Sequence, residues 1–355
     1  MTKLETTLDR LRPPSTEIAA DVQRRLDRKT KPLGSLGRLE EVACAVAGIR
    51  RTPAPELPVK AVVVMAGDHG VADEGVSAFP QAVTGQMVRN FAAGGAAINV
   101  LARQAGAQLV VVDMGVKEEL PPLPGVRSAR VGAGTRNMAI GPAMTRAEAV
   151  RALEIGIGIA EELADDGVTL VGLGEMGIAN TTAASALTAA FTGLSPAEVT
   201  GRGTGIDDAT WRHKVEVIRR ALEVNAAVPC EALDAIDTLA RLGGFEIAGL
   251  AGVVLGAASR GIPVLTDGFI ATAGALAAAR IAPDARGAIL ASHRSVEAGH
   301  RALLHALGTK PLLDLDLRLG EGTGAALAMA IVEASIRVLR EMASFDDAGV
   351  SGAVR

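Results

Sequence analysis

The stretch Val168-Thr169-Leu170-Val171-Gly172-Leu173-Gly174-Glu175-Met176-Gly177 shows the pattern that decides the fold of this 355-residue chain. Its first six residues are rich in β-formers and apolar, as expected for a strand buried on both faces of a parallel sheet. Glycines and an acid follow at once, and the segment from Ile178 to Ala183 opens a helical pattern. The stretch therefore predicts a strand, a polar turn and the start of a helix.

Similar strand-like runs recur along the chain at Val59–Met65, Leu109–Val112, Pro263–Thr266 and Ala288–Ala291. Each run is followed either by a turn that contains glycine and an acid or by Ser-His. Longer helical patterns lie between them, at Arg146–Ala164, Asp207–Ala226 and Val296–Leu307. This alternation predicts an α/β protein with a mostly parallel, Rossmann-like sheet covered by helices. Ligands of such sheets bind outside the carboxyl ends of the strands, where the polar residues of this chain gather.

The two ends of the chain have a different character. Helical apolar spacing covers Glu17–Lys29 and Leu36–Arg51, and the Pro-rich stretch Pro53–Pro58 follows. We expect a small helical domain over residues 1–55, an α/β catalytic domain over residues 56–324 and a flexible tail over residues 345–355.

Composition excludes several classes of protein. Hydrophobic residues make up 49% of the chain, aromatic residues only 2%, and the net charge is -4, which gives no reason to expect nucleic-acid binding. The two cysteines, Cys44 and Cys230, cannot form a CxxC pair, and residues 1–6 contain no apolar signal segment. Arg260 interrupts the most hydrophobic window of the sequence, Ile247–Leu265. This window is better interpreted as a buried helix and strand than as a membrane span. We therefore expect a cytoplasmic protein.

Two glycine-rich loops are candidates for anion binding. Gly172–Ala183 follows a strand and opens a helix, which suits phosphate, but it lacks the Lys-Ser/Thr end of a Walker A loop. Tight-turn packing explains such glycines about as well. The second loop, Gly201–Asp208, precedes a helix that contains Lys214, and an exposed lysine is the simpler interpretation of that residue.

Histidines also follow strand-like runs. His69, His293 and His300 match no metal-ligand spacing, so hydrogen-bonded structural histidines are favoured over a metal site. A Ser-His-Asp triad would need an exposed nucleophile, and no GxSxG elbow is present.

Glu321 is the carboxylate with the most suggestive setting, Leu317-Arg318-Leu319-Gly320-Glu321-Gly322-Thr323-Gly324-Ala325. Glycine on both sides lets a ligand approach closely. An acid that stabilises a helix dipole is an equally good explanation of the residue taken alone.

The ordered set of motifs is more specific than any single one. In this order they resemble the nicotinate-nucleotide:dimethylbenzimidazole phosphoribosyltransferase family, from about Lys31 to about Met342. The stretches that carry the resemblance are Lys31–Glu40, Ala66–Val71, Gly174–Thr182, Gly243–Glu246, Leu265–Phe269, Ser292-His293 and Leu317–Gly324.

The resemblance implies transfer of phosphoribose from nicotinate mononucleotide to 5,6-dimethylbenzimidazole, giving α-ribazole 5′-phosphate and nicotinate with inversion at C1′. It implies a three-layer α/β fold in which part of the C-terminal helix, about residues 325–345, joins the N-terminal helical domain, and a homodimer. The glutamate of the LGEG stretch, Glu321, becomes the general base, with Glu175 as a second carboxylate. No cofactor or metal is required, because the pyridinium leaving group departs neutral.

The resemblance also assigns binding residues. The benzimidazole would contact Phe79, Pro80, Gln86 and Leu319. Phosphate and ribose would contact Gly177, Asn180, Thr181, Gly203, Lys214 and Ser292, with Gly174, Met176 and Gly320 in the same motifs.

Two other interpretations remain open on the residues alone. An NAD-type oxidoreductase would use the Gly172–Gly177 loop, but the acid expected for the ribose is missing. A nucleotide-binding sensor of the same fold would need no base at Glu321.

Overall fold

The computed structural model describes residues 1–203, 205–226 and 234–351, and its centre is a six-stranded sheet. Every pairing in the sheet is parallel, in the order β3-β2-β1-β4-β5-β6. The predicted α/β class and the predominantly parallel sheet are confirmed. The strands are β1 (Lys60–Gly67), β2 (Ala107–Gly115), β3 (Val126–Ser128), β4 (Leu170–Met176), β5 (Val264–Thr266) and β6 (Ile289–Ala291).

Helices connect the strands and cover the sheet. Two short 3₁₀ segments occupy Gly70–Glu74 and Pro283–Ala288. The α-helices are α1 (Lys3–Arg10), α2 (Thr16–Asp27), α3 (Arg38–Arg50), α4 (Val83–Ala93), α5 (Ala97–Ala105), α6 (Arg146–Asp165), α7 (Asn180–Thr192), α8 (Pro196–Val199), α9 (Asp208–Ala226), α10 (Ala235–Leu242), α11 (Phe245–Ser259), α12 (Phe269–Ile281), α13 (Ala298–Leu307), α14 (Thr323–Glu341) and α15 (Phe345–Ala348).

Strand β1 shows why the strands form continuous apolar runs in the sequence. Successive side chains of a strand point to opposite faces of the sheet. Val63 and Met65 belong to the core shared with α6 and α11, whereas Val62 and Val64 belong to the core shared with α3 and α14. Both faces are therefore buried, and the molecule has three layers.

The N-terminal helices divide between the two faces. Helices α2 and α3 pack against α14, while α1 packs against α6 and α11. Because Val332 of α14 shares its core with Val62 and Leu170 of the sheet, α14 belongs as much to the α/β layer as to the end helices. The division into a separate helical domain stays a prediction. In the predicted tail, α15 is joined to Arg28 by a backbone hydrogen bond from Phe345, and residues 352–355 lie outside the described part of the chain.

Two differences from the predicted elements have simple causes. The prediction missed β3, which is a three-residue edge strand, Val126-Arg127-Ser128, with no buried side chain. Strand β4 runs past Leu173 because Gly174, Glu175 and Met176 continue the ladder beside β1. The acid predicted for a turn is therefore fixed at the end of a central strand. Cys230 lies outside the described residues, and no described helix has the length and apolar character needed to span a bilayer.

The strand order changes direction between β1 and β4. The chain proceeds outward from β1 through β2 to β3 and then returns to β4 on the other side of β1. Loops leaving β1 and β4 diverge, which opens a crevice at their carboxyl ends. The order predicts that a ligand binds beside Gly67 and Met176.

Candidate active site

A cavity of about 570 Å³ opens at the carboxyl ends of the strands. The end of β4, the first turns of α4, α7 and α12, and the loops after Thr200, β6 and α13 form its walls. Its lining residues are Phe79, Val83, Met87, Glu175, Met176, Gly177, Ile178, Asn180, Thr181, Gly203, Gly268, Phe269, Ile270, His293, Ser295, Glu297, Asp316, Leu317, Arg318, Leu319, Gly320 and Glu321.

One wall is the turn Gly320-Glu321-Gly322, whose three residues all have left-handed backbone conformations, with φ of 88°, 63° and 91°. Glutamate rarely adopts positive φ, so the surrounding structure must hold Glu321 there. The buried carboxylate of Asp267, which follows β5, accepts the N–H groups of Gly322 at 3.0 Å and Gly324 at 2.7 Å. Asp267 therefore fixes the turn and the beginning of α14.

The turn lies directly on β4. A Cβ at Gly174 would overlap the carbonyl oxygen of Glu321, and a Cβ at Gly320 would overlap the Glu175 carboxylate. The N–H of Glu321 also donates to the carbonyl oxygen of Glu175 at 3.3 Å. Glycine at these two positions is what allows the two glutamates to come together.

Glu321 as a whole is only 6% exposed, and its carboxylate Oε2 accepts the N–H of Ile98 at 3.2 Å. Ile98 is the second residue of α5, so the helix terminus that faces this carboxylate is that of α5. The sequence interpretation placed Glu321 at the start of its own helix; that helix, α14, begins two residues later at Thr323. Burial raises the pKa of Glu321 above its usual value, and the Ile98 N–H opposes that rise.

Glu175 is equally buried but has more acidic surroundings. Burial, assisted by the nearby carboxylates Asp267, Glu246 and Glu321, raises the pKa of Glu175 to about 8. The side-chain amide of Asn180 donates to Glu175 Oε2 and opposes the rise. Glu175 therefore holds a proton at neutral pH, and the site has two carboxyl groups with different protonation states.

A second wall, which we call the cationic wall, adjoins these carboxylates through the hydrogen bond from Asn180 to Glu175. Asn180 and Thr181 begin α7 and line the cavity, and the N-terminus of a helix attracts anions. Lys214 of α9 is only 2% exposed, and its Nζ donates to Thr181 Oγ1 at 2.7 Å. The structure overturns the simpler interpretation of Lys214 as an exposed lysine. Burial lowers the pKa of Lys214 to about 8, and the Glu297 carboxylate opposes that change.

The structure brings most of the predicted site residues into this one cavity. Those that line it are Phe79, Glu175, Met176, Gly177, Asn180, Thr181, Gly203, Leu319, Gly320 and Glu321. Lys214 lies directly behind Thr181, and Gly174 lies beneath the Glu321 turn.

The remaining predicted residues lie outside the lining: Pro80, Gln86 and Ser292. Pro80 and Gln86 are exposed. Because Val83 and Met87 are four residues apart on α4, they face the cavity together and turn Gln86 away from it. Ser292 is buried and hydrogen-bonds to His293 Nδ1 at 3.0 Å, so it supports a lining residue.

Sequence interpretation gave no site role to several residues that shape the cavity. Asp267 anchors the Glu321 turn, Glu297 faces Lys214, and His293 forms part of the lining. The position of Asp267 directly after a strand was the available signal. Glu297 lies in an ordinary helix-start context and gave no signal.

The histidines have internal partners. His69 Nε2 lies 2.5 Å from Glu246 Oε1 in a fully buried pair, and His300 bonds to Thr272 Oγ1 at 3.1 Å. Burial lowers the pKa of His293 to about 4, so this ring is neutral in the cavity wall. Within the described ranges, no group of three or more His, Cys, Asp or Glu residues is arranged to hold a metal ion.

Comparisons with known proteins agree with this geometry. A family model described as a phosphoribosyltransferase matches residues 11–350. The chain is 54% identical to the nicotinate-nucleotide–dimethylbenzimidazole phosphoribosyltransferase of Geobacter sulfurreducens over 351 residues, covering 99% of each chain. It is 55% identical to the protein of that name from Chloroflexus aggregans, again over 99% of each chain.

Solved structures give the same result. A crystal structure of the nicotinate-nucleotide–dimethylbenzimidazole phosphoribosyltransferase from Thermus thermophilus is 48% identical and superimposes with a TM-score of 0.90. The match covers 96% of this chain and 100% of that one. These similarities favour phosphoribosyl transfer over the oxidoreductase interpretation.

Proposed function

Because this chain belongs to the nicotinate-nucleotide–dimethylbenzimidazole phosphoribosyltransferase family, we propose that it transfers phosphoribose from nicotinate mononucleotide to 5,6-dimethylbenzimidazole. The products are α-ribazole 5′-phosphate and nicotinate. One observation carries the proposal: a single cavity is lined by two carboxyl groups, Glu175 and Glu321, and by the start of α7, with Lys214 directly behind it.

The cationic wall suits the 5′-phosphate of the donor. Thr181 and the other N-terminal residues of α7 present hydroxyl and backbone donors, and Lys214 adds a positive charge behind them. Gly203 lies at the same wall, where the absence of a side chain leaves room for the ligand. With the phosphate held there, the ribose extends toward the carboxylates.

The apolar part of the lining suits the acceptor ring. Phe79 and Leu319 are 50% and 58% exposed, and both face the cavity. Exposed apolar side chains at a cavity mouth gain free energy when a flat apolar ring covers them. Met87 and Met176 extend the same apolar surface.

The chemical step is a displacement at C1′. One ring nitrogen of the benzimidazole attacks C1′ from the face opposite nicotinate, which inverts the configuration. The bond between C1′ and the pyridinium nitrogen breaks, and its electron pair stays on nicotinate, whose ring leaves neutral. The other ring nitrogen of the acceptor loses its proton to the Glu321 carboxylate, which offsets the positive charge developing on the attacking base.

Glu175 supports this base through its protonation state. Two adjacent ionised carboxylates would repel each other and raise the pKa of both. Because Glu175 holds a proton at neutral pH, Glu321 can remain ionised beside it. Its proton is also available for a hydrogen bond to a ribose hydroxyl.

The direct test incubates the protein with nicotinate mononucleotide and dimethylbenzimidazole and follows free nicotinate by chromatography, with NMR of the anomeric proton of the nucleotide product. We expect nicotinate and an α-nucleotide in equal amounts. Binding of nicotinate mononucleotide without any product would instead support a sensor, and a β-nucleotide would contradict the inverting displacement.

A further inference from the structure

A second cavity, of about 400 Å³, lies at the other end of the strands from the candidate active site. Arg50 and Arg51 precede β1, Gly261 precedes β5, and Ala288 directly precedes β6, so this cavity is at the amino ends of the strands. Strand β1 has eight residues, and at roughly 3.3 Å per residue its ends are about 25 Å apart. A ligand in this cavity therefore cannot touch the reacting atoms of the candidate active site.

The lining has an unusual charge. Of the residues that the structure describes, five arginines and one carboxylate, Asp284, line it. The arginines are Arg10, Arg12, Arg50, Arg51 and Arg260, and we refer to the space as the arginine cavity. The chain as a whole carries a net charge of -4, so this concentration of positive charge opposes the overall composition.

Most of this charge is not neutralised by the protein. Among the described residues, Arg260 is the one arginine of this cavity that forms an ion pair, with Asp165 at 2.6 Å. Throughout residues 1–203, 205–226 and 234–351, the other four arginines have no carboxylate within 4.0 Å of their guanidinium nitrogens.

Backbone carbonyl groups hold three of these guanidinium groups in place. Arg12 donates to Asp9 at 2.8 Å, Arg51 to Pro13 at 3.1 Å and Arg50 to Gly261 at 3.4 Å. Each of these bonds uses one nitrogen and leaves other N–H groups of the fork available. Arg50 is half-buried, and burial lowers the pKa of its guanidinium group.

We propose that the arginine cavity binds a small anion with two or more linked phosphate groups, either free pyrophosphate or triphosphate or the phosphate chain of a nucleotide. Guanidinium groups match phosphate oxygens in pairs of parallel hydrogen bonds, and several arginines around one cavity match several linked charges. Arg10 and Arg12 come from the N-terminal segment, Arg50 and Arg51 from the end of α3, and Arg260 from the end of α11. The bound anion therefore joins the N-terminal segment to the α/β core and stabilises the folded chain.

The test is calorimetric titration of inorganic triphosphate into the protein saturated with nicotinate mononucleotide, which keeps the anion out of the active site. Saturable binding with one anion per chain is expected. Removing one charge-assisted contact costs roughly tenfold in affinity, so Arg12→Gln and Arg50→Gln are each expected to weaken binding about tenfold. Arg219→Gln is the matched control, because Arg219 is exposed and paired with Glu216 and Glu223.

Two further measurements sharpen the assignment. Triphosphate is expected to raise the Tm of the wild-type protein and of Arg219→Gln. The Tm of the double variant Arg12→Gln/Arg50→Gln is expected to stay nearly unchanged when triphosphate is added. ATP titrated in parallel separates the two sources: tighter binding of ATP assigns a nucleotide, and tighter binding of triphosphate assigns a free polyphosphate. The KM for nicotinate mononucleotide reports that the active site of each variant is intact.

Three results would overturn the proposal. The first is the absence of saturable binding to the wild-type protein. The second is that Arg12→Gln and Arg50→Gln bind triphosphate as tightly as the wild type does, or that Arg219→Gln weakens binding as much as they do. The third is binding of citrate as tight as that of triphosphate at equal ionic strength, which would assign the cavity to carboxylates.

Discussion

The two walls of the candidate active site use burial in opposite ways. At the carboxylate wall, burial raises the pKa of Glu175 to about 8 and so removes a negative charge from the pair at neutral pH. At the cationic wall, burial lowers the pKa of Lys214 to about 8, which still leaves its positive charge in place at neutral pH. The difference supports the proposed division of roles, in which one wall accepts a proton and the other holds a phosphate. Variants of the two walls should therefore affect different kinetic constants.

The largest effect is expected from Glu321→Gln. The amide keeps the size of the side chain but accepts no proton, so kcat should fall roughly 100- to 10,000-fold. The KM for nicotinate mononucleotide should stay near its wild-type value, because the phosphate is proposed to bind at the cationic wall. Steady-state kinetics measure both constants, and Glu341→Gln, an exposed change on α14, is the control. Retention of full turnover would transfer the role of base to Glu175.

Lys214→Gln is expected to have a smaller effect, and to change KM rather than kcat. Loss of a charged hydrogen bond costs about 1.5–3 kcal/mol, so the KM for nicotinate mononucleotide should rise roughly 10- to 100-fold while kcat changes much less. Arg219→Gln, on the same helix but exposed, should behave as wild type. A fall in kcat with an unchanged KM would contradict the separation of the two walls.

The pH dependence of binding gives a third, more modest test. Lys214 loses its charge as the pH rises through about 8, so the KM for nicotinate mononucleotide should increase above that pH. Lys214→Arg retains its positive charge throughout this range and should flatten the increase to within a few-fold between pH 7 and pH 9. If the increase persists in Lys214→Arg, then ionisation of Glu175 is its source.

The pH dependence of the free energy of unfolding should reflect the buried carboxyl group of Glu175. The folded-state pKa of Glu175, about 8, lies above its value of 4.5 in an unfolded chain. This group therefore stabilises the protein fully below pH 4.5, and the contribution is lost as the pH rises toward 8. Glu175→Gln stays neutral, so its free energy of unfolding at pH 8 should exceed that of wild type by on the order of a few kcal/mol. Urea unfolding at pH 5 and pH 8 measures the difference; a variant less stable than wild type at pH 8 is incompatible with a protonated Glu175.

Much of the fold followed from the sequence, because strands buried on both faces leave an unbroken apolar signal. Val63 and Val62 lie on opposite faces of β1, yet both are fully buried. The edge strand β3 has no such signal and was missed.

The candidate site was predictable only in part. Glu175 and Glu321 stood out because glycines surround them, and the structure explains those glycines by the contact between β4 and the turn. Gln86 was assigned to the pocket on resemblance alone, and its face of α4 is set by Val83 and Met87. The role of Asp267 in holding the Glu321 turn depends on a contact 55 residues away in sequence, which no local pattern reveals.

The most direct test of Glu321 as general base is the pH profile of kcat, at saturating concentrations of both substrates, for the wild type and for Glu321→Gln. In the wild type, kcat should fall as the pH decreases through the raised pKa of Glu321, since the protonated carboxyl group cannot accept a proton. The residual kcat of Glu321→Gln should show no such decrease. The same acidic decrease in both proteins would contradict the assignment of Glu321 as the base.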